Sequence, residues 1–147
     1  MIVLRPIGSS DIEAVTALGV EAANTAEGIP AVMSAEKVRA MVSFFANDGD
    51  GHFNLVAFDE GVPVAGIAAY VQEMPFFERS EAQVVMCFSK SHGIGCKLIR
   101  ALIQWADSNM AVRRIVWVMN EGNEKLASQM ARVFGFKHRL DVCVRHR

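Results

Sequence analysis

Gly93 and Gly95 bracket a single residue, directly after the polar run Ser89-Lys90-Ser91-His92 and directly before an apolar, helix-spaced segment. Glycines at this spacing let an anion approach the backbone. A helix start supplies what the anion needs, because its first N–H groups have no intrahelical partner and that end carries partial positive charge. Lys90 and His92 stand at the lip. Lys90, Ser91, His92, Gly93, Ile94, Gly95 and Cys96 therefore read together as a phosphate cradle. The competing reading is that the glycines only shape a tight strand-to-helix turn, since a short Gly-x-Gly match is weak evidence alone. A branched side chain at Gly95 is expected to occupy the phosphate's place without disturbing the fold.

Other reactive side chains show no comparable pattern. Cys87 and Cys96 flank the cradle and Cys143 lies far along the chain, with no metal-ligand spacing. A nucleophilic cysteine needs an activating base, and none is evident in sequence, so buried small apolar roles fit better. His52, His92, His138 and His146 are scattered. His92 reads as a phosphate neighbour and the rest as surface residues. Phe44 and Phe45 read as core, whereas Phe76 and Phe77 fall in a loop.

The elements that must position the cradle follow from periodicity. Residues 84–88 are apolar and β-branched, so a buried strand leads into it. Ile94, Leu98, Ile99, Leu102, Ile103 and Ala106 form the stripe of an amphipathic helix ending near Asn109. Before these come a strand over 2–4 and a helix capped at Ser9-Ser10-Asp11. A helix from Ser34 then ends at the turn cluster 47–51. Strands over 53–58 and 62–71 follow, joined at Asp59-Glu60-Gly61, and then a strand over 81–88. Gly66 inside its strand signals a bulge or a close backbone approach. After the cradle helix come a strand over 114–119, a turn at 120–123, a helix over 124–134 stopped by Gly135, and a last strand over 136–145. The order β, α, α, β, β, β, α, β, α, β predicts an α/β fold with a mixed, mostly antiparallel central sheet flanked by helices. The strand reached by a helical crossover should run parallel to its predecessor.

At 147 residues, residues 1–147 read as one domain. Apolar residues make up 52% of the chain, which fits a globular protein. A net charge of -1 offers no basic excess for a nucleic-acid backbone. The uncharged part of 61–73 is too short to span a bilayer, and the opening Met1-Ile2-Val3-Leu4-Arg5 is too short for a secretory leader. With an odd cysteine count, these features point to a cytoplasmic protein.

Over essentially its whole length the chain resembles the GNAT superfamily of N-acetyltransferases. The opening Leu4-Arg5-Pro6 with Asp11-Ile12 is similar to that family's first strand and helix. Lys90-Ser91-His92-Gly93-Ile94-Gly95 matches its pattern of Gln or Arg, then x-x-Gly-x-Gly or Ala. A helix led by Asn120 or Asn123 and closed by Gly135-Phe136 matches its later motif. The resemblance implies acetyl-CoA as co-substrate and an amine as acceptor. It implies that backbone N–H groups from Ser91 to Cys96 hold the diphosphate, and that the pantetheine arm pairs with the strand at Val85, Met86 and Cys87. Val116, Trp117 and Val118 would form the other wall of the slot, and Asn120 or Asn123 would touch the cofactor.

Two positions depart from the family pattern. Lys90 replaces Gln or Arg, so the phosphate meets a point charge and not a planar fork. Ala131 stands where the family carries the tyrosine that acts as general acid, leaving water, Ser128 or another group to return the proton. Amine acylation also needs a proton acceptor. Glu81 shares a strand face with Gln83 and Val85 and could serve through water, against the plainer reading of a solvated strand end. Glu73 and Glu78 are weaker candidates. Tyr70 lines the acceptor slot on one reading and is packing on the other. The function expected is transfer of acetyl from acetyl-CoA to a primary amine of a small molecule or protein, by direct attack. The alternative is a non-catalytic acyl-CoA-binding module or regulatory subunit. Apolar edge strands near the C-terminus make a homodimer conceivable.

Overall fold

The computed structural model describes residues 1–25, 33–47, 51–76, 78, 80–118 and 124–137. The strands are β1 (Ile2–Arg5), β2 (His52–Asp59), β3 (Val62–Gln72), β4 (Ser80–Ser89) and β5 (Val112–Trp117). The helices are α1 (Ile12–Thr25), α2 (Ala35–Ala46), α3 (His92–Ser108) and α4 (Glu124–Phe134). The strands form one sheet in the order β1-β2-β3-β4-β5. Every neighbouring pair is antiparallel except β4 and β5, which are parallel and joined through α3. This is the mixed sheet that the pattern predicts. The β2–β3 hairpin closes on Glu60 (φ 48) and Gly61 (φ 83). Two successive positive φ values suit the primed turns that match strand twist.

Alternation along the strands divides the interior into two cores. Val56, Phe58 and Ala68 point to one face, where Val15 of α1 and Val38, Val42 and Phe45 of α2 cover them. Ala57, Ile67 and Ala69 point to the other, beneath Leu98, Ile99 and Leu102 of α3 and Met130 of α4. Fully burying a side chain such as Ile67 or Leu98 contributes about 1.5–3 kcal/mol.

Polar ties hold the first helices in place. The Ser34 hydroxyl caps α2 by accepting the Lys37 N–H at 3.4 Å. The Asn54 side chain accepts the Ile7 N–H at 2.7 Å and donates to the Phe45 carbonyl at 2.9 Å, joining β2 to both. Asp11 does not begin an α-helix as a simple cap. Ser9–Asp11 is a single 3-10 turn ahead of α1. The Asp11 carboxylate accepts the Gly8 N–H at 2.8 Å and the Arg5 guanidinium at 2.9 Å, so β1 is pinned to the turn.

Several expectations need correction. Phe45 is core at 2% exposure, but Phe44 is 56% exposed and lies edge-on against Phe45, with His52 nearby. One helix face cannot bury two consecutive residues. His52 is correspondingly half-buried among aromatic rings. Gly66 marks a close approach: a Cβ there would meet the Phe88 ring at 3.1 Å. The register shifts lie nearby, at Ala57/Phe58 and Ala68/Ala69. Phe136 and Lys137 are not in a strand, and residues 138–145 of the expected last strand lie outside the described residues. So do Phe77, His138, Cys143 and His146.

Candidate active site

The β4–β5 ladder ends early. Glu81 pairs with Arg114, Ala82 with Ile115, Gln83 with Val116 and Val84 with Trp117, and no pair follows among the described residues. β4 itself continues to Ser89 and stays paired with β3 on its other side. Along 85–89 no described residue pairs with the β5-facing edge of β4, the open edge that an added strand requires. The β3 register shifts at the same level. Ala68 faces Met86 and Ala69 faces Val84, which leaves Val85 as an extra residue, a β-bulge. The bulge reverses the alternation, so Val84 joins the α3–α4 core while Met86 joins the α1–α2 core. It also breaks the pattern that would have set Val85 on the face of Glu81 and Gln83. Val85 is 37% exposed.

The end of this edge runs into the cradle. Lys90 N–H donates to the Val64 carbonyl at 3.1 Å. The Ser89 hydroxyl accepts the Ser91 N–H at 3.2 Å, and the Gly95 N–H donates to the Ser91 carbonyl at 3.2 Å as the first α-helical bond. The N–H groups of His92, Gly93 and Ile94 precede that bond and have no intrahelical acceptor, and the Ser91 side chain does not cap them. A Cβ at Gly93 would meet nothing within 4 Å, so the backbone there is open. Gly95 differs: its Cβ would lie 3.4 Å from Ser89 Cβ. Gly95 thus packs at ordinary van der Waals distance from the strand end, on the Ser89 side. Cys96 is a half-buried free thiol.

Lys90 Nζ bonds Glu21 of α1 at 3.1 Å, with both side chains more than half exposed. Asn120 and Asn123 lie outside the described residues.

The face of the sheet beneath α1 and α2 carries the other candidates. Glu81 Oε2 accepts Arg114 Nε–H at 2.8 Å, and its side chain is 16% exposed against 52% for Arg114. Tyr70 sits opposite Gln83 and donates its hydroxyl to Gln83 Oε1 at 2.7 Å. Tyr70 thus faces an acceptor and packs against the α1–α2 core. Ala131 and Ser128 are both exposed on α4. Burial pushes the Cys87 thiol up to about 12, which keeps it protonated and a poor nucleophile near neutral pH.

Sequence reasoning missed two partners. Arg114 faces Glu81 only because a register shift at Ser80/Glu81 leaves Arg113 unpaired. Glu21 meets Lys90 across 69 residues of chain. A basic residue interrupting an apolar strand was the one visible signal for Arg114.

A bulged strand that runs on past its pairing with a parallel neighbour and into an uncapped helix start is the arrangement of an acyl-CoA-binding acyltransferase fold. The acetyltransferase (GNAT) domain profile matches residues 2–137, and the chain belongs to this family. It is an acetyl-CoA-dependent N-acetyltransferase. No curated protein matches the chain by sequence. Among solved structures it is similar to a possible acetyltransferase from Clostridium difficile 630 (TM-score 0.74, 13% identity, covering 99% of each chain). It is also similar to the aminoglycoside N-acetyltransferase AAC(6')-Iy in complex with CoA (TM-score 0.73, 14% identity, covering 100% of this chain and 95% of that one). A third is a ribosomal-protein-alanine N-acetyltransferase from Brucella melitensis biovar Abortus 2308 (TM-score 0.73, 14% identity, covering 100% and 99%). Among the described residues, no helix is long and apolar enough to cross a membrane.

Proposed function

We propose that acetyl-CoA binds in the gap between β4 and β5 and that a primary amine attacks its thioester from the α1–α2 face. The observation that carries this reading is the end of the β4–β5 ladder at Val84 and Trp117, while β4 runs on into the cradle. The pantetheine amides pair with the open edge at Val85, Met86 and Cys87. The diphosphate takes the N–H groups at the start of α3, from Ser91 to Cys96, with Gly93 giving closest access. Lys90 exchanges Glu21 for phosphate. The reading of the cradle adds His92 at its lip, and the family resemblance adds Asn120 or Asn123.

The incoming ammonium gives a proton to Glu81 through water. A C–N bond forms at the acetyl carbon as the C–S bond breaks, and the second proton of the attacking nitrogen passes through water to the departing CoA thiolate, leaving a neutral amide and the free thiol. Backbone N–H groups beside the bulge stabilise the charge developing on the carbonyl oxygen. Tyr70 lines the acceptor slot, since its hydroxyl proton is committed to Gln83.

The acceptor is a small-molecule or protein amine. Similar structures include enzymes named for an aminoglycoside and for a ribosomal-protein alanine, two classes to test first. The chain works as one cytoplasmic domain over residues 1–147. Of the C-terminal strands expected to support a homodimer, β5 lies at one edge of the described sheet and the last strand lies largely outside the described residues. Edge strand β1, where Ile2, Val3 and Leu4 are 39%, 47% and 38% exposed, offers a second surface for association of two copies.

The test is thiol release from acetyl-CoA with sisomicin, an Ala-led peptide and phenylethylamine, alongside calorimetry with CoA. Turnover with at least one amine and saturable CoA binding are expected. CoA binding without turnover on any amine would return the chain to the module reading. No binding at all would remove the site.

A further inference from the structure

A row of paired side chains crosses the sheet just below the point where β4 and β5 part. Tyr70 and Gln83 are register partners joined by a hydrogen bond, and Glu81 and Arg114 are register partners joined by an ion pair. Glu81 and Gln83 are two residues apart with no bulge between them, so they share the face on which Tyr70 packs. Gln72, the β3 partner of Glu81, is uncharged. Two acidic side chains of α1 engage elsewhere, Glu13 with Arg39 of α2 and Glu21 with Lys90.

Stability is a weak reason for the Glu81–Arg114 pair. An ion pair whose arginine is 52% exposed contributes about 0–1 kcal/mol. Its place suggests another use. Glu81 lies three residues before Val84, roughly 10 Å along the strand from the mouth of the gap. A carboxylate at that distance serves an amine through a short chain of waters, and only if it points along the row. Arg114 holds Oε2 through Nε, and Oε1 accepts no other described side chain.

We propose that Arg114 is a positioning residue for acetyl transfer. By holding one oxygen of Glu81 it turns the other toward the acceptor nitrogen and its water. This rests on the role given to Glu81 above.

The test compares Arg114→Met, Arg114→Lys, Glu81→Gln and the Arg114→Met/Glu81→Gln double variant. It uses thiol release with the most active amine of the panel, and thermal melts confirm folding. Misdirecting a reacting group costs on the order of 10- to 100-fold. Arg114→Met should lower kcat by about that factor with KM for acetyl-CoA unchanged, and Arg114→Lys should recover part of the loss. In the Glu81→Gln background, Arg114→Met should cost nothing further. Equal losses in both backgrounds, or wild-type kcat in Arg114→Met, would overturn the proposal while leaving Glu81 in its role. Wild-type kcat in Glu81→Gln would instead remove Glu81 as the proton acceptor, and the proposal with it.

Discussion

Tyr70 and Gln83 meet across β3 and β4 through a 2.7 Å hydrogen bond from the phenol to the amide oxygen, two strand positions before the Val85 bulge. Tyr70→Phe should remove that bond and leave the Gln83 oxygen without its donor. The expected cost is about 1 kcal/mol, or roughly 3 °C in Tm. Steady-state kinetics should show a changed acceptor KM and a kcat within about tenfold of wild type, since a hydroxyl engaged this way is a poor general acid. A loss of kcat of about 100-fold or more would make Tyr70 the proton donor.

Gly93→Asp separates binding from stability. The helix start favours a carboxylate, which adds about 0.3–1 kcal/mol there, and open space surrounds the position. The same charge would oppose a diphosphate. Tm should hold or rise, while calorimetry should show acetyl-CoA affinity falling by at least about tenfold, or roughly 1.4 kcal/mol. Equal affinity would place the diphosphate elsewhere.

Leu98 is fully buried where α3 meets the sheet. Leu98→Ala should cost about 2–5 kcal/mol in urea unfolding, because the transfer term and the cavity term add.

Arg5 hydrogen-bonds Asp11 and holds its carboxyl below the ordinary carboxylate range, helped by the Gly8 N–H against the opposing effect of burial. A lowered folded pKa contributes stability above the unfolded value of about 4, and that contribution fades as pH falls through the folded value. Near neutral pH, wild type should exceed Asp11→Asn by about 1–2 kcal/mol, given that Arg5 is partly exposed. Melts repeated toward about pH 3 should show the gap closing. A gap independent of pH would mean that ionisation of Asp11 contributes nothing.

Cys87, with its thiol raised to about 12, should resist iodoacetamide in the native protein at mildly alkaline pH. Mass spectrometry should find it alkylated only after denaturation. Rapid native labelling would argue for an activated thiolate beside the slot.

Local order was legible in the residues themselves. The stripe of Leu98, Ile99 and Leu102, the Ser34 cap and the Asp59-Glu60-Gly61 turn announce their elements, because helix period and turn chemistry are short-range properties. The strand–turn–helix at Ser89 to His92 was legible for the same reason: strand end, glycines and helix start are contiguous. Pairing across the sheet was not visible. Strict alternation predicts Val85 on the face of Glu81, and only the ladder to β3 shows it bulged out. Arg113 and Arg114 are equivalent in sequence, and a one-residue register shift brings the second opposite Glu81. Phe44 and Phe45 are equally apolar, and helix packing buries one alone. Sequence specifies which element each residue joins. Which residue faces which across strands depends on register, and register follows from burying both faces of the whole sheet at once.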